Sequence, residues 1–181
     1  MTKRIYFDAD CLSTFLWTGK ETILYQLYSG RIFLSGVVRT ELSRVKISYF
    51  KNAVKRFSNS NHVNLVSTLS ETPEYNLYLE FVKESKIKDT PDKKVIGAGE
   101  AEVLALAKIN GCIAASNNLR DILYYVEKYQ IEYITTADIL VEALKKNVIS
   151  QGAGDVIWKN MRRSSKMPCD SFTDYLQQID Q

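Results

Sequence analysis

The chain has 181 residues, of which 45% are hydrophobic and 25% charged, with a formal net charge of +3. That length suffices for one complete α/β domain with a substantial core and is too short for two ordinary ones. The unexceptional composition, with 8 glycines and 3 prolines, excludes a disordered chain, and the mild positive charge permits nucleic acid as a partner without demanding it.

In chain order, the apolar run Arg4-Ile5-Tyr6-Phe7 predicts a strand over 4–8 that ends in Asp8 and Asp10, followed at once by a helical pattern from Cys11 to Trp17. Lys20 to Tyr28 carries Ile23, Leu24, Leu27 and Tyr28 at helical spacing, and Ser29-Gly30 stops it. A second strand over 32–35 runs into a short helix, Val37 to Arg44, which bears Glu41; a further helix, Ile47 to Phe57, has Ile47, Phe50, Val54 and Phe57 as its apolar stripe. A third strand spans 63–66, and after Pro73 a helix runs from Glu74 to Glu84. The segment Lys86 to Gly99 breaks every periodicity and reads as a mobile loop leading to Glu100, which opens the apolar helix Ala101 to Ile109. The fourth strand, 112–115, meets Ser116-Asn117-Asn118 and a helix starting near Asn118. A fifth strand over 131–134 precedes helices over Ala137 to Lys146, Ala153 to Arg163 and Phe172 to Ile179, the last entered through Pro168 and capped by Asp170 or Ser171. This alternation predicts an α/β fold, a parallel sheet with helices on both faces.

No apolar stretch approaches the roughly 20 residues that span a bilayer, and the N-terminal strand, interrupted by Asp8 and Asp10, does not read as a signal peptide. The expected location is the cytoplasm. Cys11, Cys112 and Cys169 are odd in number and widely spaced, as reduced thiols would be. His62 is the only histidine and has no partner at ligand spacing, which disfavours a histidine-built metal cluster or hydrolase triad. A nucleotide-binding Rossmann protein is disfavoured because no Gly-rich loop follows the first strand.

Three strand ends run into polar groups, and in open α/β sheets the crevice beyond those ends is where ligands bind. Asp8, Glu41 and Glu100 brought together there, with Asn118, read as a site for a divalent cation, since Mg²⁺ takes oxygen ligands and keeps several waters. Each residue also has a plainer role open to it. Asp8 and Asn118 are good helix N-caps, the latter forming a capping box with Asp121, and Glu102 reads as a solvated helix residue. Lys51, Lys55 and Arg56, and Arg162, Arg163 and Lys166 near the end of the chain, read as solvated faces. Arg39, Lys93, Lys94 and Arg120 are the better phosphate contacts because their motifs adjoin the acidic crevice.

Tyr6-Phe7-Asp8-Ala9-Asp10-Cys11-Leu12, Val37-Val38-Arg39-Thr40-Glu41-Leu42, Gly99-Glu100-Ala101-Glu102-Val103-Leu104-Ala105-Leu106-Ala107 and Ala115-Ser116-Asn117-Asn118 resemble, in this order, the motifs of PIN-domain proteins, and among them the bacterial VapC-type toxins. The resemblance spans about residues 4–147. It implies a three-layer α/β/α fold over residues 1–149, with 150–181 as a helical extension packed on the domain or dimerising it. It further implies an Mg²⁺- or Mn²⁺-dependent ribonuclease acting on RNA, a homodimer and an antitoxin protein as partner. Asp8, Glu41 and Glu100 match the family's acids. Where the family has a further aspartate this chain has Asn118, which is neutral and expected to coordinate weakly through its oxygen, with Asp10 or Asp121 restoring the charge. The alternative is a catalytically weakened or silent PIN-fold module that binds RNA or a protein.

Overall fold

A computed structural model describes residues 2–87 and 93–179. At its centre lies a five-stranded parallel sheet of β1 (Ile5–Phe7), β2 (Ile32–Ser35), β3 (Val63–Val66), β4 (Ile113–Ala115) and β5 (Glu132–Ile134), in the spatial order β3-β2-β1-β4-β5. Tyr6 pairs with Phe33 on one side and with Ala114 on the other. The central strand is buried along its whole length, as expected where helices cover both faces of a parallel sheet.

Ten helices surround the sheet among the described residues: α1 (Ala9–Thr18), α2 (Glu21–Tyr28), α3 (Gly36–Ser43), α4 (Ser48–Ser58), α5 (Pro73–Glu84), α6 (Ala98–Asn110), α7 (Leu119–Tyr129), α8 (Thr136–Lys145), α9 (Gln151–Met161) and α10 (Phe172–Ile179). Elements fall where hydrophobic spacing predicts them because local start and stop signals agree with that spacing. Thr72 accepts the Tyr75 N–H at the start of α5, with Pro73 in the first turn. Of the two candidates for capping α10, Ser171 takes the role, its hydroxyl accepting the Asp174 N–H at 3.0 Å. Gly111, at φ +60, ends α6 in the left-handed conformation that favours glycine.

The most enclosed helix is α6, which buries Ala101, Val103, Leu104, Ala105, Leu106 and Ala107. It packs against α5, α3, α7 and strands of the sheet, and its alanines allow the close approach. This enclosure overturns one expectation: Glu102 is not solvated but 4% exposed, accepting the Thr68 hydroxyl at 2.7 Å. The segment between β3 and α5 covers that side of α6, which helical periodicity alone does not reveal.

Residues 88–92 of the predicted mobile loop lie outside the described residues; 93–97 run as coil into α6. Cys11 and Cys112 are buried, Cys169 half-buried, and all three are free thiols. His62 stacks on Tyr25 with centroids 4.6 Å apart and shares a hydrogen bond with the Ser29 hydroxyl. No helix among the described residues is long and apolar enough to cross a membrane.

Beyond residue 149, α9 packs on α1 and α8, and α10 folds back over α9. Phe172 is fully buried beside Gly154, where a Cβ would collide with its ring. Trp158, Met161 and Phe172 belong to one hydrophobic cluster with β1 and α1.

Candidate functional site at the switch point of the sheet

The chain fills the sheet outward from β1 through β2 to β3, then crosses back to place β4 and β5 on the other side of β1. The order therefore reverses between β1 and β4, and the crevice at their carboxyl ends is where such sheets bind ligands. Asp8 is the first residue past β1. Its N–H continues the ladder to the Ala115 carbonyl at 2.9 Å, which fixes its position. Its carboxylate accepts the Ser116 hydroxyl at 2.7 Å, and it stands as N-cap of α1 toward the Asp10 N–H. Capping and crevice position coexist. Asp8 is 3% exposed; burial, reinforced by the neighbouring charges of Glu100 and Asp10 and opposed by Ser116, pushes its pKa up to about 7.

Glu100 enters from the first turn of α6. One carboxylate oxygen accepts the Gly97 N–H at 2.6 Å, tying down the start of its own helix, and the other accepts the Asn118 amide at 2.6 Å. Burial raises its pKa, and the charges of Asp121 and Glu41 raise it further. Glu41, on α3, lies against Gly99: a Cβ there would stand 2.7 Å from its Oε2, so a larger residue at 99 would displace the Glu41 carboxylate.

Asn118 departs from the expected behaviour. It occupies the N-cap position of α7, yet its side chain caps nothing. Instead Nδ2 donates to Glu100 at 2.6 Å and to Asp121 at 2.7 Å. Two carboxylates offer acceptors only, so the amide presents its nitrogen rather than its oxygen. Offering the oxygen to a cation would require the amide to turn over and give up both bonds. Asp10 is exposed on the first turn of α1, and its carbonyl accepts the Thr14 hydroxyl.

The predicted acids and Asn118 thus lie close to one another, while the predicted cations are spread over several surroundings. Arg39 faces a groove between α3 and α4 with Lys51 and Lys55, whereas Arg44, one turn beyond Glu41, shares a groove with Glu41, Gly97 and Ala98. Lys93 is buried with its ammonium over the Tyr124 ring, and the Lys94 carbonyl accepts the Tyr125 hydroxyl. Only Arg120 borders a cleft beside Asn118 and Asp121, joined there by Lys166 from the end of the chain.

The sequence marks no role for Ser116, Thr14 or Arg44, and Lys166 reads there as part of a solvated face. The spacing of Arg44 from Glu41, three residues on a helix, carried a usable signal. The others are placed by tertiary contacts: Thr14 is fully buried and receives hydrogen bonds from Asn117 and Ser165, joining α1, the loop after β4 and the chain end.

The donor set fits a hard divalent cation by chemistry. Asp8, Asp10, Glu41, Glu100 and Asp121 supply oxygens, and among the described residues none is ion-paired to lysine or arginine. Among the described residues no three His, Cys, Asp or Glu side chains close into a cage by themselves. Mg²⁺, which keeps several waters and needs only one or two direct carboxylates, is the kind of ion that such oxygens suit.

Among solved structures, the chain is similar to one in the crystal structure of DNA-bound VapBC from Salmonella typhimurium. The two share 17% identity with a TM-score of 0.55, over 75% of this chain and 99% of that one. The likeness is one of fold, a three-layer PIN-like α/β/α arrangement, and a quarter of this chain lies outside it. No protein-family model and no curated protein matches the sequence.

Proposed function

We propose that the chain is a metal-dependent ribonuclease of the PIN type that hydrolyses RNA phosphodiesters in the crevice above β1 and β4. The observation that carries this reading is the gathering of Asp8, Glu41, Glu100 and Asp121 at the switch point without a basic counter-ion among the described residues. Burial above all, with the neighbouring charges of Glu100 and Asp10 adding to it, pushes the Asp8 pKa up to about 7, and the gathered acids repel any phosphodiester. Mg²⁺ or Mn²⁺, when bound, supplies activation of the attacking water and stabilisation of the leaving oxygen.

Asp8 and Glu100 would hold the ion, with Glu41, Asp10 and Asp121 adding negative charge around it. Ser116 orients the Asp8 carboxylate through its hydroxyl, and Gly97 orients that of Glu100 through its N–H. Asn118 holds Glu100 and Asp121 together as a neutral donor. The fold likeness to a VapBC chain supports a toxin role with an antitoxin as partner; a homodimer follows from the motif resemblance alone.

One observation favours a second reading. The Asn118 amide already satisfies Glu100 and Asp121, as it would in a PIN-fold module whose nuclease chemistry has been lost and which binds RNA or a protein. Incubating labelled structured RNA with wild type, Asp8→Asn and Asn118→Asp in Mn²⁺ or Mg²⁺ separates the two. Cleavage by wild type that disappears in Asp8→Asn and in chelator supports the nuclease. Cleavage by Asn118→Asp alone identifies a disarmed one, and silence in all three leaves the binding module.

A further inference from the structure

Beside the acids, a cleft of about 510 Å³ runs between the start of α7, the start of α8 and the chain end after α9. Its size is that of a small-molecule or single-nucleotide site. At one end it is bordered by Asn118 and Asp121, which are hydrogen-bonded to each other, Asn118 also to Glu100. Met167 and Pro168 give it an apolar wall, Tyr133 of β5 and Tyr175 of α10 both line it, and Arg120 and Lys166 supply its positive charge.

Two carboxylates also border this cleft, but each is engaged locally. Asp121 accepts from Asn118, and Asp138 accepts from the N–H and hydroxyl of Thr135 at the start of α8. Arg120 and Lys166, by contrast, are exposed and neither hydrogen-bonded nor ion-paired among the described residues. Tyr133 is 37% exposed although it lies on a sheet strand, and Tyr175 keeps one side against Trp158 with ring centroids 5.3 Å apart. Two tyrosines with an apolar wall, next to unengaged cations and beside the Asn118 and Asp121 side chains, have the ingredients of a single-strand nucleotide seat. Aromatic faces stack bases and cations take the backbone phosphate.

We propose that this cleft seats the RNA nucleotide adjoining the scissile phosphate, its base against Tyr133 and Tyr175 and its phosphate on Arg120 and Lys166. The proposal rests on the ribonuclease reading for the position of the scissile phosphate. It assigns to the chain end a role in substrate binding: Ser165, hydrogen-bonded to the buried Thr14, anchors the segment that presents Lys166. Lys166, which in sequence reads as part of a solvated face, becomes a substrate contact by this placement.

The test is fluorescence anisotropy of fluorescein-labelled short single-stranded RNA with the full chain in Ca²⁺ and in chelator, over a series of salt concentrations, with circular dichroism to check folding. The Arg120→Glu/Lys166→Glu double variant is expected to bind at least about tenfold more weakly. Its salt slope should fall by about 0.7, the value for the loss of one phosphate contact on a single strand. Tyr133→Ala is expected to lose about tenfold through stacking, with little change in slope. Arg39→Glu/Lys55→Glu, in the groove between α3 and α4, is expected to retain wild-type affinity and slope. The proposal is overturned if the Arg120/Lys166 variant binds as wild type does, if the Arg39/Lys55 variant shows the larger loss, or if wild type does not bind RNA. RNA bound through the cleft but never cleaved in Mn²⁺ sinks the nuclease reading and with it the scissile phosphate, leaving the cleft as an RNA seat only; cleavage with binding indifferent to the cleft variants sinks the cleft alone.

Discussion

Asp8 concentrates the physical tension of this molecule in one side chain. Its carboxyl titrates at about 7 in the folded protein against 3.8 ordinarily, so between those values the folded state keeps a proton that the unfolded chain has lost. Stability from this group is therefore full below the lower value, falls as pH rises through the interval and stays low above it; Glu100, also raised, acts in the same direction. In chelator, Tm is expected to decline from about pH 5 to about pH 8, where added Mn²⁺ should restore more than it does at about pH 5. Asp8→Asn should abolish cleavage, flatten that pH profile and raise Tm in chelator at about pH 8 by about 5 °C, the equivalent of on the order of 2 kcal/mol. A melting curve that is independent of pH, or lowered at high pH by the substitution, contradicts this account. Asn118→Asp trades the bridging donor for a further anion between Glu100 and Asp121. Its expected signature is a Tm lower by several degrees in chelator, recovered in Mn²⁺, together with faster Mn²⁺-dependent cleavage.

At the scale of elements, the site is a meeting of the C-terminal ends of β1 and β4 with α3 and the first turn of α6. Gly99 leaves room for the Glu41 carboxylate between α3 and α6. Gly99→Ala adds a methyl where only the flexible tip of Glu41 stands in the way, while alanine favours the helix by about 0.5–1 kcal/mol. Tm is thus expected to hold or rise slightly while cleavage falls about tenfold; differential scanning fluorimetry paired with an RNA cleavage assay tests both halves. Parallel losses of stability and activity would mean that the glycine serves packing instead. The helices themselves were legible because caps and stripes agree: Thr72-Pro73 and Ser171 mark starts that the structure keeps. Glu102 was not legible, because a polar residue on a helix declares nothing about a neighbouring segment folding over it.

In the molecule as a whole, the last two helices are continuous with the core rather than appended to it. Trp158, Met161 and Phe172 share one hydrophobic cluster with Phe7, Leu12 and Phe15, and α9 lies on α1, the helix that Asp8 caps. Removing residues 150–181 would uncover the α1 face and release Thr14 from Ser165. We expect the truncated chain to lose cooperative unfolding or to fall out of solution, and limited proteolysis of the intact chain to show no preferred cut near residue 149. A soluble 1–149 fragment with the parent Tm would show that the extension is a separate unit.

The sequence by itself determined the strands, the helices and the acids at the strand ends. Each of these is written locally, in short apolar runs, 3.6-residue spacing and polar residues placed where a strand stops. It also determined that position 118 carries an amide. Only the tertiary structure decided which way that amide faces, because its donor is claimed by Glu100 and Asp121 from two different helices. The same holds for the basic residues. Arg39 stands near the acids in sequence yet faces the groove between α3 and α4, and Lys93 lies buried over the Tyr124 ring, while Lys166 is brought by packing of the chain end to a cleft bordered by residue 118. A charged side chain on a surface carries no local record of what lies across from it, so its partner is settled only when the chain closes.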